Sequence, residues 1–242
     1  MGDVEKIPTG VDGLDDMLYG GIPINNQMLV AGGPGAGKTL LTFEILYRNA
    51  KRGVPSVFIP LEEDTPMVLR NVKEAFSEFD DLDDLVKSNM IEIDGGGPAL
   101  KVKEVTDSEL YSFGNIVSEI ESLVKQNNSK IVVIDSVSML KLVLGETSLY
   151  RKSMMGLIST LRRLNVTSLF TSELPSTERE SLIFSPEFFM FDGVLNMYQI
   201  GERDKRNTML EIVKTRGSNH SKALTPYDIT PSGFKLTTAK IE

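Results

Sequence analysis

The chain has 242 residues, of which 40% are hydrophobic, 25% charged and 7% aromatic. This composition is typical of globular proteins and excludes disordered, collagen-like and coiled-coil chains. Its 34 acidic and 26 basic residues give a formal net charge of -8, which disfavours a protein that coats duplex DNA through clustered lysines and arginines. Because the chain has no cysteine and only one histidine, disulfide scaffolds, thiolate metal sites and a cysteine nucleophile are excluded.

The N-terminal sequence carries no targeting signal. The stretch from Met1 to Lys6 lacks the apolar segment of a signal peptide, and no apolar run approaches the about 18 residues of a membrane span. No proline- or serine-rich linker divides the chain. We therefore predict a cytoplasmic protein without membrane contact, built as one domain over residues 1–242.

The first strongly predicted element is a short buried strand, Met28 to Ala31, that leads into a glycine-rich turn. The turn reads Gly32-Gly33-Pro34-Gly35-Ala36-Gly37-Lys38-Thr39 and matches the P-loop pattern, which lies between a strand and a helix. In such a turn, backbone N–H groups and the positive end of the helix dipole surround a phosphate. We predict that Lys38 reaches the β- and γ-phosphates of a nucleotide and that Thr39 offers its hydroxyl to Mg²⁺. The predicted nucleotide-contacting residues here are Gly33, Pro34, Gly35, Ala36, Gly37, Lys38, Thr39 and Leu40.

Two adjacent glutamates follow the next predicted strand, Ser56 to Leu61. Glu62 and Glu63 precede a predicted helix start, where negative charge is favoured by the helix dipole alone. If their strand lies beside the P-loop strand or beside the strand that ends at Asp135, one carboxylate would instead polarise the water that attacks the γ-phosphate. Spacing alone leaves both interpretations open.

Amphipathic helices alternate with apolar strands through the middle of the chain. From Asp107 onward, and again from Leu149 to Leu164, apolar residues recur at spacings of three and four, which predicts helices. Further strands are predicted at Met90 to Ile93, Ile131 to Ile134 and Val166 to Thr171. Strands joined by helices of this length form right-handed crossovers, so we expect a parallel sheet covered on both faces.

The strand from Ile131 to Ile134 is followed by a carboxylate, Asp135. In a P-loop site an aspartate in this position holds Mg²⁺ through its water shell, and we predict that role. An aspartate at a strand end also serves as a helix N-cap.

The pattern changes after Asp192 to two strands, Gly193 to Ile200 and Thr208 to Thr215, joined by the charged run Gly201 to Asn207. We predict an antiparallel hairpin that closes the same sheet. Two segments, Asp94 to Asp107 and Leu174 to Pro186, follow no regular pattern and are expected to be functional loops.

Five motifs follow one another along the chain. They are Pro8-Thr9-Gly10-Val11-Asp12-Gly13-Leu14-Asp15, Gly20-Gly21-Ile22-Pro23, the P-loop, Glu62-Glu63 and Lys214-Thr215-Arg216-Gly217-Ser218-Asn219-His220. Together they resemble the single-domain KaiC-like ATPases of the RecA superfamily, with RadA-type recombinases as more distant relatives. The resemblance covers nearly the whole chain, and its last motif is the most specific because generic P-loop proteins lack it. It implies a RecA-like α/β fold with a mostly parallel twisted sheet, helices on both faces and a C-terminal antiparallel hairpin.

The resemblance also implies roles for single residues. Glu62 and Glu63 would activate the hydrolytic water, while Lys214 and Arg216 would reach the γ-phosphate bound by the neighbouring subunit of a ring. The sequence alone also allows His220 to be an ordinary hydrogen-bonded histidine. Thr171-Ser172-Glu173 resembles the position that senses the nucleotide state. The residues implied to line the neighbour's nucleotide beside Lys214 and Arg216 are Thr215, Ser218, His220 and Thr230.

These observations predict a slow ATPase that uses ATP and Mg²⁺, forms a homo-hexamer with nucleotide at the subunit interfaces, and switches contacts with an unidentified protein partner. One alternative is a RadA-like DNA-binding recombination or repair accessory protein, which the acidic balance disfavours and in which Leu174 to Pro186 would be the DNA loop. The other is a nucleotide-gated scaffold with little turnover. Autophosphorylation is not expected, because in the circadian KaiC proteins it belongs to a second tandem domain.

Overall fold

The computed structural model describes residues 4–94, 109–144, 148–174, 186–201 and 207–238. The segments expected to be irregular, Asp94 to Asp107 and Leu174 to Pro186, and the charged run Gly201 to Asn207 lie almost wholly outside the described residues. No helix in the described ranges is long and apolar enough to cross a membrane.

The described part of the chain forms a nine-stranded sheet of order β11-β10-β9-β8-β3-β7-β6-β4-β5. Strands β8, β3, β7, β6, β4 and β5 run parallel, whereas β9, β10 and β11 continue the sheet in antiparallel fashion. The prediction of a mostly parallel sheet with a C-terminal antiparallel hairpin is therefore confirmed. The strands are β3 (Gln27–Gly32), β4 (Ser56–Pro60), β5 (Ile91–Ile93), β6 (Ile131–Asp135), β7 (Thr167–Glu173), β8 (Gly193–Ile200), β9 (Asn207–Thr215), β10 (Thr225–Thr230) and β11 (Gly233–Leu236).

Helices cover both faces of this sheet, because neighbouring residues of each parallel strand point to opposite sides. Met28 and Val30 of β3 belong to the core beneath α2, α3 and α4. Leu29 and Ala31 of the same strand belong to a second core beneath α5, α6 and α7. The helices are α2 (Lys38–Ala50), α3 (Thr65–Ala75), α4 (Leu82–Lys87), α5 (Glu109–Gln126), α6 (Val137–Leu144) and α7 (Ser148–Arg163), with a 3-10 helix at Pro186–Met190.

The N-terminal motif forms a small structural unit ahead of the main sheet. It contains β1 (Lys6–Ile7), α1 (Leu14–Met17) and β2 (Ile22–Pro23), and β1 pairs with β2 in antiparallel fashion. The Asp15 carboxylate accepts hydrogen bonds from the Thr9 backbone N–H at 2.7 Å, from the Thr9 hydroxyl at 2.7 Å and from the Gly10 N–H at 3.0 Å. The Thr-Gly and Asp residues of this motif thus have a structural explanation.

Strands β10 and β11 form a terminal hairpin, Thr225–Leu236, that the sequence analysis did not predict. It packs along α2 and reaches the P-loop, where the Tyr227 hydroxyl donates to the Ala36 carbonyl at 2.6 Å. Farther along α2, the buried Glu44 carboxylate accepts from the Phe234 N–H at 2.7 Å. The hairpin is therefore bound to the P-loop and to the helix that follows it.

Candidate active site

The glycine-rich turn has the backbone conformation that a phosphate-binding loop requires. Gly35 and Gly37 have φ angles of 75° and 90°, in the left-handed region that favours glycine. Gly37 is the N-cap of α2 and lacks a side-chain cap. The backbone N–H groups in the first turn of α2 therefore have no side-chain acceptor from the N-cap, and such groups can bind an anion.

Lys38 is buried, with 8% of its surface exposed. Its Nζ atom donates to the carbonyl oxygens of Gly32 at 2.9 Å and of Gly33 at 3.0 Å. Burial lowers the pKa of the ammonium group, and the carboxylates of Glu173, Asp135 and Glu62 oppose this effect. The charged form of the lysine is therefore favoured by carboxylates at or just after the ends of three other strands.

The side chain of Thr39, at the start of α2, lies near the Asp135 carboxylate at the end of β6. The Asp135 carboxylate also accepts from the Thr171 hydroxyl. Burial raises the pKa of Asp135, whereas the hydrogen bonds from Thr171 and Thr39 and the charge of Lys38 lower it. A hydroxyl and a carboxylate are hard oxygen ligands, so this donor set fits Mg²⁺.

Strand β4 pairs with β6, with Pro60 opposite Asp135. This is one of the two positions that the catalytic interpretation of Glu62 and Glu63 requires. The cap of α3 is instead Asp64, whose carboxylate accepts from the Met67 N–H at 2.9 Å. The two glutamates are therefore not needed to cap this helix.

The two glutamates have different partners. The Glu62 carboxylate accepts a hydrogen bond from the Ser136 hydroxyl, and the Glu63 carboxylate accepts from the Asn71 amide at 3.1 Å. Burial raises the pKa of Glu63, and the nearby charges of Asp135 and Glu62 raise it further. Glu63 thus lies among other carboxylates in a partly desolvated place.

These groups surround a cleft of about 300 Å³, here called the P-loop cleft. Four carboxylates and one ammonium group line it, so its walls are strongly acidic. The predicted residues Gly33, Ala36 and Leu40 are not in the lining, since Gly33 and Ala36 are buried and Leu40 packs against the core. The lining residues are Pro34, Gly35, Gly37, Lys38, Thr39, Pro60, Glu62, Glu63, Asp135, Ser136 and Glu173.

The end of β7 carries the predicted sensor residues, and two of them contact the site. Thr171 binds Asp135, as described, and Glu173 lines the cleft. The Glu173 N–H donates to the Ser138 hydroxyl at 2.8 Å. Sequence reasoning missed Ser136 as a cleft residue, although its place directly after Asp135 was a signal for it.

Lys214 and Arg216, here called the cationic pair, lie away from the P-loop of the same chain, toward the other end of the parallel strands. Lys214 is opposite Val194, which pairs with Leu29 of β3, and the Arg216 carbonyl accepts from the Asn26 amide at 3.2 Å. The backbone of Arg216 is therefore level with the start of β3 and that of Lys214 with Leu29, its third residue, whereas the P-loop follows the end of the strand. At ~3.3 Å per residue, β3 separates the P-loop from Arg216 by about 17 Å and from Lys214 by about 10 Å.

Each member of the cationic pair is held by groups of its own chain. The Lys214 ammonium group donates to the Phe188 carbonyl. The Arg216 guanidinium donates to the Phe189 carbonyl at 3.1 Å and lies 3.5 Å from the Asp192 carboxylate. Burial lowers the pKa of Lys214, the charge of Arg216 lowers it further, and Asp192 opposes both.

The other residues predicted to serve a neighbour's nucleotide also lie outside their own chain's cleft. Thr215 is buried at the end of β9, and the Ser218 hydroxyl donates to the Asn219 carbonyl at 3.0 Å. The Thr230 hydroxyl donates to the Gly233 carbonyl at 2.7 Å within the terminal hairpin.

His220 is buried and has partners at both ring nitrogens. Nδ1 lies 2.9 Å from the Ser221 carbonyl, and Nε2 lies 3.3 Å from the Lys222 ammonium group. Nδ1 must donate and Nε2 must accept in this arrangement. In the single chain His220 therefore has the hydrogen bonding of an ordinary buried histidine.

Comparison with known proteins gives a consistent result. A family model described as "ATPase: KaiC" matches residues 7–241. A UPF0273 protein of Aeropyrum pernix is 30% identical over 245 residues, which cover 98% of this chain and 96% of that protein. The circadian clock oscillator protein KaiC 1 of Synechocystis sp. is 31% identical over 234 residues, or 96% of this chain but 44% of that protein. The chain thus spans less than half the length of this relative.

The fold comparison agrees with the sequence comparison. The crystal structure of a KaiC-like protein from Pyrococcus horikoshii OT3 matches with a TM-score of 0.82 at 27% sequence identity. The match covers 98% of this chain and all of that chain.

Proposed function

Because the chain belongs to the KaiC family of ATPases, we propose that it binds ATP with Mg²⁺ in the P-loop cleft and hydrolyses it, as one domain over residues 1–242. The observation that carries this proposal is the convergence of four kinds of group at the carboxyl ends of neighbouring parallel strands. These groups are the P-loop turn, the Lys38 ammonium group, the Thr39–Asp135 pair and two glutamates.

The residues of the cleft divide the work of phosphoryl transfer. The P-loop N–H groups and Lys38 bind the phosphates, and Thr39 and Asp135 would hold Mg²⁺, which supplies positive charge at the phosphate oxygens. One of the two carboxylates, Glu62 or Glu63, accepts the proton of the attacking water. The Ser136 hydroxyl, bound to Glu62, orients that carboxylate.

The charge of the cleft supports a site that is shared between chains. Among the described residues its lining has four carboxylates and one cation, Lys38, and a triphosphate adds further negative charge. Cations placed opposite the P-loop stabilise the charge that develops on the transferred phosphoryl group. Since the backbones of Lys214 and Arg216 lie about 10 Å and 17 Å away along β3, the neighbouring chain would supply its own pair, in a ring that we propose to be a homo-hexamer.

The family suggests a regulatory role for this turnover. In a ring with shared sites, ATP binding and hydrolysis change the contacts between chains. Such a change can raise or lower the affinity of the ring for a protein partner. We propose this regulatory role in the cytoplasm. The DNA-binding alternative depends on Leu174 to Pro186, which falls almost wholly outside the described residues.

The variant Lys38→Ala tests the site assignment. It removes a charge-assisted contact worth about 1.5–3 kcal/mol, so affinity for Mg·ATP measured by calorimetry should fall at least about tenfold. Lys125→Ala is the matched control, because Lys125 pairs with Glu121 on the surface of α5. Equal affinity of the parent and Lys38→Ala would overturn the proposed function.

A further inference from the structure

The cationic pair is anchored to the fold at one carboxylate, Asp192, which directly precedes β8 and which the sequence analysis did not single out. Asp192 is buried, with 9% of its surface exposed. Its carboxylate accepts from the Gln27 N–H at 3.0 Å, and its own N–H donates to the Gln27 carbonyl at 2.8 Å. Asp192 is therefore fixed to the first residue of β3.

The same carboxylate pairs with two arginines from different parts of the fold. Arg162 of α7 donates to both oxygens, at 2.8 Å and 2.9 Å. Arg216 lies 3.5 Å from Oδ1, and its backbone N–H donates to the Asp192 carbonyl at 2.7 Å. Together with the Phe189 carbonyl, Asp192 gives the Arg216 guanidinium two acceptors, and two acceptors fix the orientation of a planar group.

Electrostatics explain why a carboxylate is needed here. Arg162, Arg216 and Lys214 bring three cations together, and like charges repel unless a counter-charge lies among them. Asp192 provides that charge and leaves the cluster positive. The Arg216 side chain keeps 54% of its surface exposed. It can therefore contact a second chain while its backbone stays bonded to Asp192.

We propose that Asp192 is a positioning residue for hydrolysis, which holds Arg216 in the orientation that reaches the nucleotide of the neighbouring chain. The inference rests on the proposed function, since it assumes that Arg216 acts on a neighbour's phosphate. Asp192 is bonded to the start of β3, and the P-loop follows the end of this strand. The length of β3 therefore also sets the distance between a chain's own P-loop and the Arg216 that it would supply to the neighbouring chain.

A purely structural role is the competing explanation, because the Asp192–Arg162 pair joins α7 to the sheet. Breaking that pair from either side should then lower stability equally and leave the chemistry unchanged. A positioning role predicts an asymmetry, since loss of Asp192 disorients Arg216 but loss of Arg162 does not. The variants Asp192→Asn and Arg162→Gln separate the two explanations.

The experiment measures kcat and KM for ATP in steady state, with thermal unfolding and ring assembly checked for every variant. Asp192→Asn should lower kcat about tenfold or more, as misplacement of a catalytic group does, with KM within about twofold of the parent. Arg162→Gln should lose similar thermal stability but keep kcat within about twofold. The double variant Asp192→Asn/Arg216→Ala should be no slower than Arg216→Ala alone, because Asp192 acts through Arg216.

A second variant keeps the test decisive if Asp192→Asn does not fold. Arg216→Lys leaves Asp192 and its bonds to Gln27 and Arg162 in place, but a lysine has no planar fork to join both acceptors. It should also lose about tenfold in kcat.

The outcomes distinguish this inference from the proposed function. If Arg216→Ala slows hydrolysis while Asp192→Asn and Arg216→Lys keep the parent kcat, the positioning role is wrong and the shared site stands. Multiplicative losses in the double variant would also overturn it. If Arg216→Ala itself has no effect, the shared-site proposal fails and the inference fails with it.

Discussion

The environment of Glu63 fits the role of base proposed for it. Burial and the charges of Asp135 and Glu62 raise the pKa of its carboxyl group, so it binds a proton more strongly than an exposed glutamate does. A group that takes a proton from water in the transition state works best when its pKa is nearer the working pH. The neighbouring carboxylates therefore favour Glu63 as the proposed base.

Replacing both glutamates separates binding from hydrolysis. In Glu62→Gln/Glu63→Gln the size and polarity of the side chains are kept but the base is lost, so phosphate release should slow by about 10²- to 10⁴-fold while Mg·ATP still binds. The control Glu78→Gln changes an exposed residue outside the cleft and should keep full turnover. Unchanged turnover in the double variant would remove both glutamates from the mechanism.

Lys214 gives a prediction for pH dependence. Burial and the charge of Arg216 lower the pKa of its ammonium group, so Lys214 loses its proton at a lower pH than an exposed lysine does. Turnover that needs this charge should therefore fall as pH rises toward the alkaline range. In Lys214→Arg the side chain stays protonated, and the alkaline limb of the pH–rate profile should move to higher pH. The same limb in both proteins would show that another group titrates.

The candidate-site residues that could be predicted from the sequence are those marked by a local pattern. The P-loop turn and the carboxylates at two strand ends were all recognisable, because each lies at the end of a buried strand. Asp192 gave no such signal. Its partners Gln27, Arg162 and Arg216 come from distant parts of the chain and meet only when β8 is placed beside β3.

At the scale of elements, the terminal hairpin supports the phosphate-binding turn from behind. The Tyr227 hydroxyl donates to the Ala36 carbonyl, and burial raises the pKa of Tyr227, so this donor stays protonated. In a trans peptide the C=O and the following N–H point in opposite directions. Holding the Ala36 carbonyl toward the hairpin therefore directs the Gly37 N–H away from it.

Tyr227→Phe removes only this hydroxyl. Losing one buried hydrogen bond costs about 1 kcal/mol, so affinity for Mg·ATP should fall about fivefold by calorimetry. Tyr47→Phe is the control, since its hydroxyl binds Asp81 near the other end of α2 and its loss should affect stability alone. If both variants bind Mg·ATP like the parent, the hairpin does not hold the P-loop in its binding conformation.

The elements themselves differed in how well the sequence predicted them. The parallel strands and the long helices were recognisable because each buries a continuous apolar run or stripe. Strand β10 was missed, because only two of its residues, Thr225 and Tyr227, are buried and Pro226 between them argues against a strand. The order of strands was also beyond local patterns, since it depends on contacts between distant segments.

At the scale of the whole molecule, the carboxylates of the P-loop cleft and the cationic pair lie toward opposite ends of the parallel strands. The acidic P-loop cleft is at the carboxyl ends of the parallel strands, and the cationic pair lies level with the first three residues of β3. One chain therefore has the two halves of the proposed shared site in places where they do not meet. The central claim is that the halves meet between two chains.

Mixing two inactive variants tests this claim most directly. A Lys214→Ala/Arg216→Ala chain keeps a sound P-loop, and a Lys38→Ala chain keeps a sound cationic pair, so mixed assemblies contain some complete sites. Cations supplied in trans can be worth about 10³ to 10⁵ in rate. The account predicts that the mixture hydrolyses ATP well above the sum of the two variants alone, and that activity per chain rises with concentration. Purely additive activity, with mixed assemblies confirmed by native mass spectrometry, would contradict it.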